Sequence, residues 1–424
     1  MTSTPEIAKA RTVFDMMREQ SSDPPGVTRT SYGDGENFAH RTIAEWAQEI
    51  SLEVTHDCAG NQYVTLPGRD RAAPKVVMGS HMDSVRHGGN FDGAAGVVCG
   101  MAALHRLHRM NRQPERDLTV MAIRAEEIVW FPCHYAGSRM AFGLLEKEEY
   151  DAIRRSDSGR TLAEHIDELG FDSAALKSGK SYLDRNDINC YIEVHIEQGP
   201  VLQNANLELG VVTGIRGNLR YRYCHVDGAY SHAGGIPRAF RQDAVFGFVE
   251  FAQFVERYCL DLEESGVDIV YTIGEAYTDA ESHAITKVPG RFDFKMDIRS
   301  IDNDVLLRLD QDLRAEAKRI SSERNISIDL AEVSNAKPAV MDESLRAAFH
   351  KQLKEQSIET MDIGSGGGHD CAVFAGQGVN SAMLFIRNDG GSHNPEEAME
   401  MEDFEKAADV LCGLLDERFC TGDK

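Results

Sequence analysis

No run of about 18 apolar residues occurs in the 424-residue chain, so nothing reads as a membrane span. The opening stretch "MTSTPEIAKARTVFDMMREQ" lacks the apolar core of a secretory signal. Basic residues are outnumbered, 45 against 69 acidic ones. The resulting net charge of −24 argues against sequence-independent nucleic-acid binding and against docking on anionic membranes. The nine cysteines never form C-x-x-C, and an odd number without a secretion signal reads as reduced thiols of a cytoplasmic protein. Cys99 and Cys371 sit in apolar context and read as small core residues. Internal repeats and low-complexity tracts are also missing, so the chain is not a repeat array.

What remains is ordinary for a soluble globular chain, 42% hydrophobic and 27% charged, and its length implies two domains. Residues 6–20 and 40–52 read as amphipathic helices. "PKVVMGSH", "RDLTVMAIRAEE", "NCYIEVHIEQG" and "NSAMLFIRN" read as strands, and "GAAGVVCGMAALHRLHRM" as a helix of small and apolar residues. Strands alternating with helices predict a layered α/β domain. The middle differs. "LRYRYCHVDG" is strand-like, residues 240–262 are helical, "DIVYTIGEAYT" and "RFDFKMDIRS" alternate, residues 302–324 are helical, and "ISIDLAEV" closes the series. That order predicts a ferredoxin-like α+β sandwich over residues 213–330. It is inserted between residues 1–212 and 331–424, which form the larger, catalytic domain.

Ionisable residues gather at four strand ends. "VVMGS" runs into His81 and Asp83, with Asp92 in the loop beyond; "MAIRA" runs into Glu126 and Glu127; "YIEV" runs into His195; "AMLFI" leads to "RNDGGSHNPEE" and His393. In an open α/β sheet, ligands collect beyond the carboxyl ends of strands, so the four clusters converge. Histidine and carboxylate without cysteine suit Zn, Mn, Co or Ni. Three histidines and two carboxylates exceed one closed tetrahedral shell and fit two divalent ions sharing a carboxylate, about 3.5–4 Å apart, which together polarise a carbonyl and activate water. The adjacent glutamates need separate jobs: Glu127 is assigned to metal and Glu126 to acid–base work. Asp83, two residues after His81, is placed to orient that imidazole. His87 has no such company and reads as a loop histidine.

Taken together, "GSHMDSVRHGGNFDGAAGV", "AEE", "EVHIEQGPVL", "SHAGGIPRAFRQDA", "VPGRFDFKMDIRS", "SGGGHDCAVFA" and "GSHNPEEAM" resemble the dinuclear-metal amidohydrolases of the hydantoinase/carbamoylase type. These are relatives of metal aminopeptidases and include N-carbamoyl-L-amino-acid hydrolases, β-ureidopropionases and allantoate amidohydrolases. The resemblance implies a metallopeptidase-like mixed sheet. It implies that Asp92 bridges two ions completed by His81, Glu127, His195 and His393, with Glu126 as general base. It further implies that Gln198 lies near the substrate and that His232 stabilises the tetrahedral intermediate, reaching over from a partner subunit. Arg299 would grip a small-molecule carboxylate, the glycines of "HAGG" would form a hinge, and the inserted domain would serve homodimerisation and lid closure. His369 and Asp370 either support the site or cap a helix beginning near Asp370, and Arg139 orders the loop after Glu127.

Four positions depart from the family pattern: Thr286 where an asparagine is common, Trp130 where arginine or a small polar residue is usual, Arg238 in place of methionine, and Arg387 ahead of the metal histidine. Thr286, Trp130 and Arg387 are therefore expected substrate contacts, and the aromatic ring and extra arginines point to a carboxylate substrate of aromatic character. The expected reaction is hydrolysis of a linear C–N bond, an N-carbamoyl or related amide. The alternatives are deamination of an aromatic amino carboxylate or cleavage of another N-acyl amino acid. A non-catalytic metal-binding module has no use for Glu126.

Overall fold

Long apolar segments buried on both faces build the central sheet, as parallel strands covered by helices require. The computed structural model describes residues 4–421. The chain divides into two units, Met1–Thr213 with Met341–Lys424, and Gly214–Val340. The central sheet of the first unit contains β1 (Glu53–His56), β2 (Gln62–Leu66), β3 (Lys75–His81), β4 (Leu118–Ile123), β5 (Ile188–Ile196), β6 (Leu209–Ile215), β7 (Thr360–Ser365) and β8 (Ser381–Ile386). They lie in the order β1-β2-β4-β3-β5-β8-β6, with β7 also paired to β6. The run β4-β3-β5-β8 is parallel, with Met78 opposite Val120 on one side and Ile192 on the other. Flanking β2 and β6 pair antiparallel to it, which makes the sheet mixed. All four expected strands belong to this parallel run, so their carboxyl ends open on one side.

Helices α1 (Pro5–Gln20), α2 (Asp34–Glu49), α3 (Ala94–Arg109), α4 (Glu343–Glu355) and α5 (Met401–Phe419) belong to the same unit. Proline starts α1, where its missing N–H costs nothing. The α2 helix begins six residues before the expected position 40, because acidic Asp34 and Glu36 suit a first turn and Gly33 enters it extended; it stops before Ser51, whose φ is +59°. The small residues of α3 let it lie close on the sheet: a Cβ on Gly96 would fall 2.1 Å from the Val194 carbonyl oxygen. Phe14, Trp46, Val98, Leu104, Phe404 and Leu411 fill the core on this side.

The second unit holds an antiparallel sheet. Gly217–Asp227 pairs with Arg291–Ser300, which pairs with Val270–Thr278 at the edge. Helices Ala244–Glu264 and Asn303–Arg324 bury Phe251, Val255, Leu309 and Leu313 in its core. The succession strand, helix, two strands, helix, strand is the ferredoxin-like one. The unit runs ten residues beyond the expected limit at 330, since Ser327–Asp329 and Val333–Ala336 both pair with Gly217–Asp227. Among the described residues, no helix is long and apolar enough to cross a membrane, and the nine cysteines are all free thiols.

Candidate metal centre

The end of β3 delivers His81, which pairs in register with Ile123 at the end of β4. From β4 the chain turns through Ala125, whose φ of +52° is a left-handed conformation that non-glycine residues avoid. Two contacts hold it: the Ala125 N–H donates to Glu36 Oε1 at 3.0 Å, and the Ala125 carbonyl accepts from Ala136 N at 3.1 Å. Glu36 in turn takes a 2.6 Å bond from Arg124, both side chains being buried. The turn aims Glu126 and Glu127 at the same side of the sheet as His81. Asp83, fully buried, lies at the centre of this corner. Its Oδ1 accepts from Glu126 N at 3.1 Å and its Oδ2 from Glu127 N at 3.2 Å and Ser31 Oγ at 2.6 Å. The His81 Nδ1 sits 3.1 Å from the Asp83 carbonyl and 3.4 Å from Oδ1.

Asp92 follows a glycine-rich loop and precedes Gly93, whose φ is +67° and where a Cβ would lie 2.5 Å from the His81 ring. Only glycine fits there. Asp92 Oδ1 is buried and makes no hydrogen bond, yet lies 3.5 Å from His81 Nε2 and 3.2 Å from His195 Nε2. Asp92 Oδ2 lies 3.3 Å from His393 Nε2, which is itself 3.5 Å from Glu127 Oε1. Two ligand groups therefore share Asp92: His81, Asp92 and His195, and Asp92, Glu127 and His393. An orphaned buried carboxylate oxygen facing two imidazole nitrogens, in a set of nitrogen and oxygen donors only, fits a divalent cation.

The electrostatics agree. Burial opposes ionisation of Asp92, but His195, His393 and His81 outweigh it and hold the carboxyl well below its usual range. Burial lifts Glu127 to about 7, and contact with Asp92 lifts His393 to about 9. Protons are retained where a cation would balance the charge. Burial also raises Glu126 well above the ordinary carboxylate range, opposed by His81 and reinforced by Glu127, Asp370 and Asp83.

Residues 77–417 match the sequence profile of peptidase family M20/M25/M40. The chain belongs to that family. It is similar to an N-carbamoyl-L-amino-acid amidohydrolase of Pseudomonas sp. (strain NS671), 31% identical over 91% of this chain and 92% of that one. An allantoate amidohydrolase of Bacillus subtilis (strain 168) is 31% identical over 92% of each chain. A solved hydantoinase/carbamoylase-family amidase from Burkholderia multivorans superposes with a TM-score of 0.86 at 28% identity, over 98% of each chain. As an M20/M25/M40 member with amidohydrolase relatives, the protein is a hydrolase acting on carbon–nitrogen bonds.

Beside the candidate ligands stands Gln198, whose Nε2 donates to Asp92 Oδ2 at 2.9 Å from a backbone at φ +64°. His369 packs edge-on to His195, ring centroids 4.5 Å apart, and its Nε2 meets Ser365 Oγ at 2.9 Å. Asp370 makes no side-chain cap to the helix Cys371–Gly376; its Oδ1 accepts from Ser138 Oγ, and Glu193 takes the Cys371 N–H instead. His369 thus packs against a candidate ligand, and the Asp370 side chain does not cap the helix. Arg139 binds the Leu144 carbonyl and Cys133 Sγ, ordering its loop. His87 is exposed and bonds the Asp23 carbonyl, as a loop histidine.

One expected substrate contact needs correction. Trp130 is 2% exposed, packs in a cluster with Tyr32, Phe131 and Tyr150, and donates Nε1–H to the Ser84 carbonyl at 2.7 Å. Its indole is a core element. Arg387 is half-buried and pairs with Asp403 of α5, Nε to Oδ2 at 2.9 Å. The second unit carries His232, Thr286 and Arg299. His232 and Thr286 are neighbours: Ser231–His232 pairs with Lys287–Val288, and Ala233 N–H donates to the Thr286 carbonyl at 2.9 Å. Arg299 forms a two-point contact with Asp297, at 3.0 and 2.9 Å.

Sequence reasoning missed Ser392, which contacts Asp92 Oδ2 at 2.5 Å and Glu397 Oε2 at 2.7 Å, and Glu397, whose Oε1 accepts from Phe91 N and Asp92 N. The pair joins the Asp92 loop to the His393 loop. The signal was "SHNPEE" itself, an acidic residue four positions after a ligand.

Proposed function

We propose that this chain hydrolyses a linear C–N bond, an N-carbamoyl or closely related amide, in a small carboxylate-bearing substrate. The observation that carries this reading is Glu126, buried beside two ligand triads that share Asp92. His81, Asp92 and His195 would hold one divalent ion and Asp92, Glu127 and His393 a second, drawn from zinc, manganese, cobalt and nickel. Such ions supply Lewis acidity to a carbonyl oxygen and lower the pKa of water. The chain's residues do the rest. Glu126 takes the proton of the attacking water as its oxygen bonds to the carbonyl carbon. The C–N bond breaks, and Glu126 delivers that proton to the departing nitrogen. Gln198 fixes Asp92 and borders the substrate. Arg299 receives the carboxylate, Thr286 lies alongside it, and His232 steadies the developing oxyanion from a partner subunit. The reduced thiols fit a cytoplasmic enzyme.

The relatives named N-carbamoyl-L-amino-acid and allantoate amidohydrolases support this substrate class. The aromatic-substrate alternative loses its motive with Trp130 in the core. The test is an ammonia-release screen of the metal-loaded protein against N-carbamoyl-L-amino acids, allantoate and aromatic amino acids. Ammonia is expected from the first two groups; release from aromatic amino acids alone would overturn the reading.

A homodimer through residues 213–330 belongs to the same proposal. Phe246, Val249 and Leu260 lie 58%, 49% and 43% exposed on helix Ala244–Glu264, and the edge strand Val270–Thr278 has one side unpaired among the described residues. Light scattering at assay concentration is expected to return twice the mass of one chain. A fully active monomer would contradict the crossing-over of His232.

A further inference from the structure

We propose that Arg29 is a positioning residue that sets the spacing of the metal ligands His81 and Asp92. This rests on the metal-centre reading above. Arg29 is 0% exposed. A buried guanidinium ordinarily has a carboxylate in direct contact, because an uncompensated buried charge is costly. Arg29 instead fills its fork with neutral acceptors. Its Nε donates to the Met82 carbonyl at 2.8 Å, Nη1 to Asn90 Oδ1 at 3.2 Å and Nη2 to the Asn90 carbonyl at 3.4 Å.

Those acceptors lie near the two ends of the single loop, residues 82–93, that joins β3 to α3. Met82 lies between His81 and Asp83, and Asn90 two residues before Asp92. The main chain adds to the clamp: Arg29 N–H donates to Ser84 Oγ and Ser84 N–H to the Arg29 carbonyl, both at 2.9 Å. Asn90 is fixed from behind, its Nδ2 donating to the Phe14 carbonyl at 3.0 Å. One planar cation therefore pins the start of this loop, beside His81, to its end, beside Asp92, by geometry that a flexible ammonium cannot reproduce. The charge of Arg29 is offset at longer range by Glu397, Asp92, Asp83 and Glu127, four acidic groups of the centre. The same field serves the centre in return: a fixed cation behind clustered carboxylates holds them together before any ion arrives.

Two substitutions separate fork from charge. Arg29→Lys keeps the charge and loses the fork; Arg29→Gln keeps a donor and loses both charge and fork. Supporting residues around a metal site are worth roughly 10–100-fold in affinity. Equilibrium dialysis of the full-length protein against buffered Zn²⁺, with far-UV circular dichroism of the metal-free protein alongside, is expected to show folded variants with zinc bound about 10–100-fold more weakly. Arg29→Lys should recover part of the loss seen in Arg29→Gln. Should either variant fail to fold, Asn90→Ala removes one anchor while leaving Arg29 in place, and is expected to weaken zinc binding in the same sense. Folded variants that bind zinc as wild type does would overturn this proposal alone. Wild-type protein binding no zinc would overturn the metal-centre reading and this proposal with it.

Discussion

Glu126→Gln is expected to keep its metal and lose turnover. The substitution preserves size and the backbone bond from residue 126 N to Asp83 Oδ1, 3.1 Å long, so the turn at Ala125 stays as it is. What disappears is the capacity to accept a proton. A positioned general acid–base is worth about 10²–10⁴-fold, and kcat is expected to fall by that factor with KM little changed. Burial raises the proton affinity of the side chain, which suits it to accept a proton from water. A rival role exists, because Glu126 also lies within reach of His81 and Glu127 as a third ligand group. The two roles part on one measurement. A base leaves metal content unchanged in the glutamine variant, whereas a ligand leaves it one ion short. Steady-state kinetics with metal analysis on the same preparation decides, and unchanged turnover removes the general-base role.

The strand ends were readable because two periodicities coincide there. Apolar runs such as "KVVMGS" and "LTVMAI" mark strands buried on both faces, and an ionisable residue straight after such a run has no place in a core. The topology then makes the four ends neighbours, since β4-β3-β5-β8 is one parallel run. The ferredoxin-like insert was equally legible from alternation, though its far boundary was not: Val333–Ala336 is a short, mostly exposed strand with no apolar pattern. Trp130 shows the limit in the other direction. Proximity in sequence to a ligand says nothing about where a side chain points, and this one points into packing, onto the Ser84 carbonyl. The segment 29–36 carries no motif at all. Arg29, Ser31 and Glu36 reach respectively Met82 and Asn90, Asp83 and Ala125, contacts that only the fold brings together.

The strongest consequence of a shared ligand is that losing it costs both sites at once. Asp92→Asn retains the shape of the side chain but removes the charge on which His81, His195 and His393 converge. It also replaces one acceptor, either the orphaned oxygen or the one that receives Gln198 and Ser392, with a donor. Metal content of the reconstituted protein is therefore expected to fall from near two ions per chain to near zero. Turnover should fall with it by about 10³-fold or more, equivalent to roughly 4 kcal/mol of lost transition-state stabilisation. His393→Ala is the discriminating partner. His393 is half exposed and belongs to one triad only, with Asp92 and Glu127, so its removal should release one ion and leave the other on His81, Asp92 and His195. Two independent, unshared sites predict instead that each substitution costs one ion. Metal analysis after dialysis separates the cases: Asp92→Asn retaining a full ion would mean that Asp92 does not bridge.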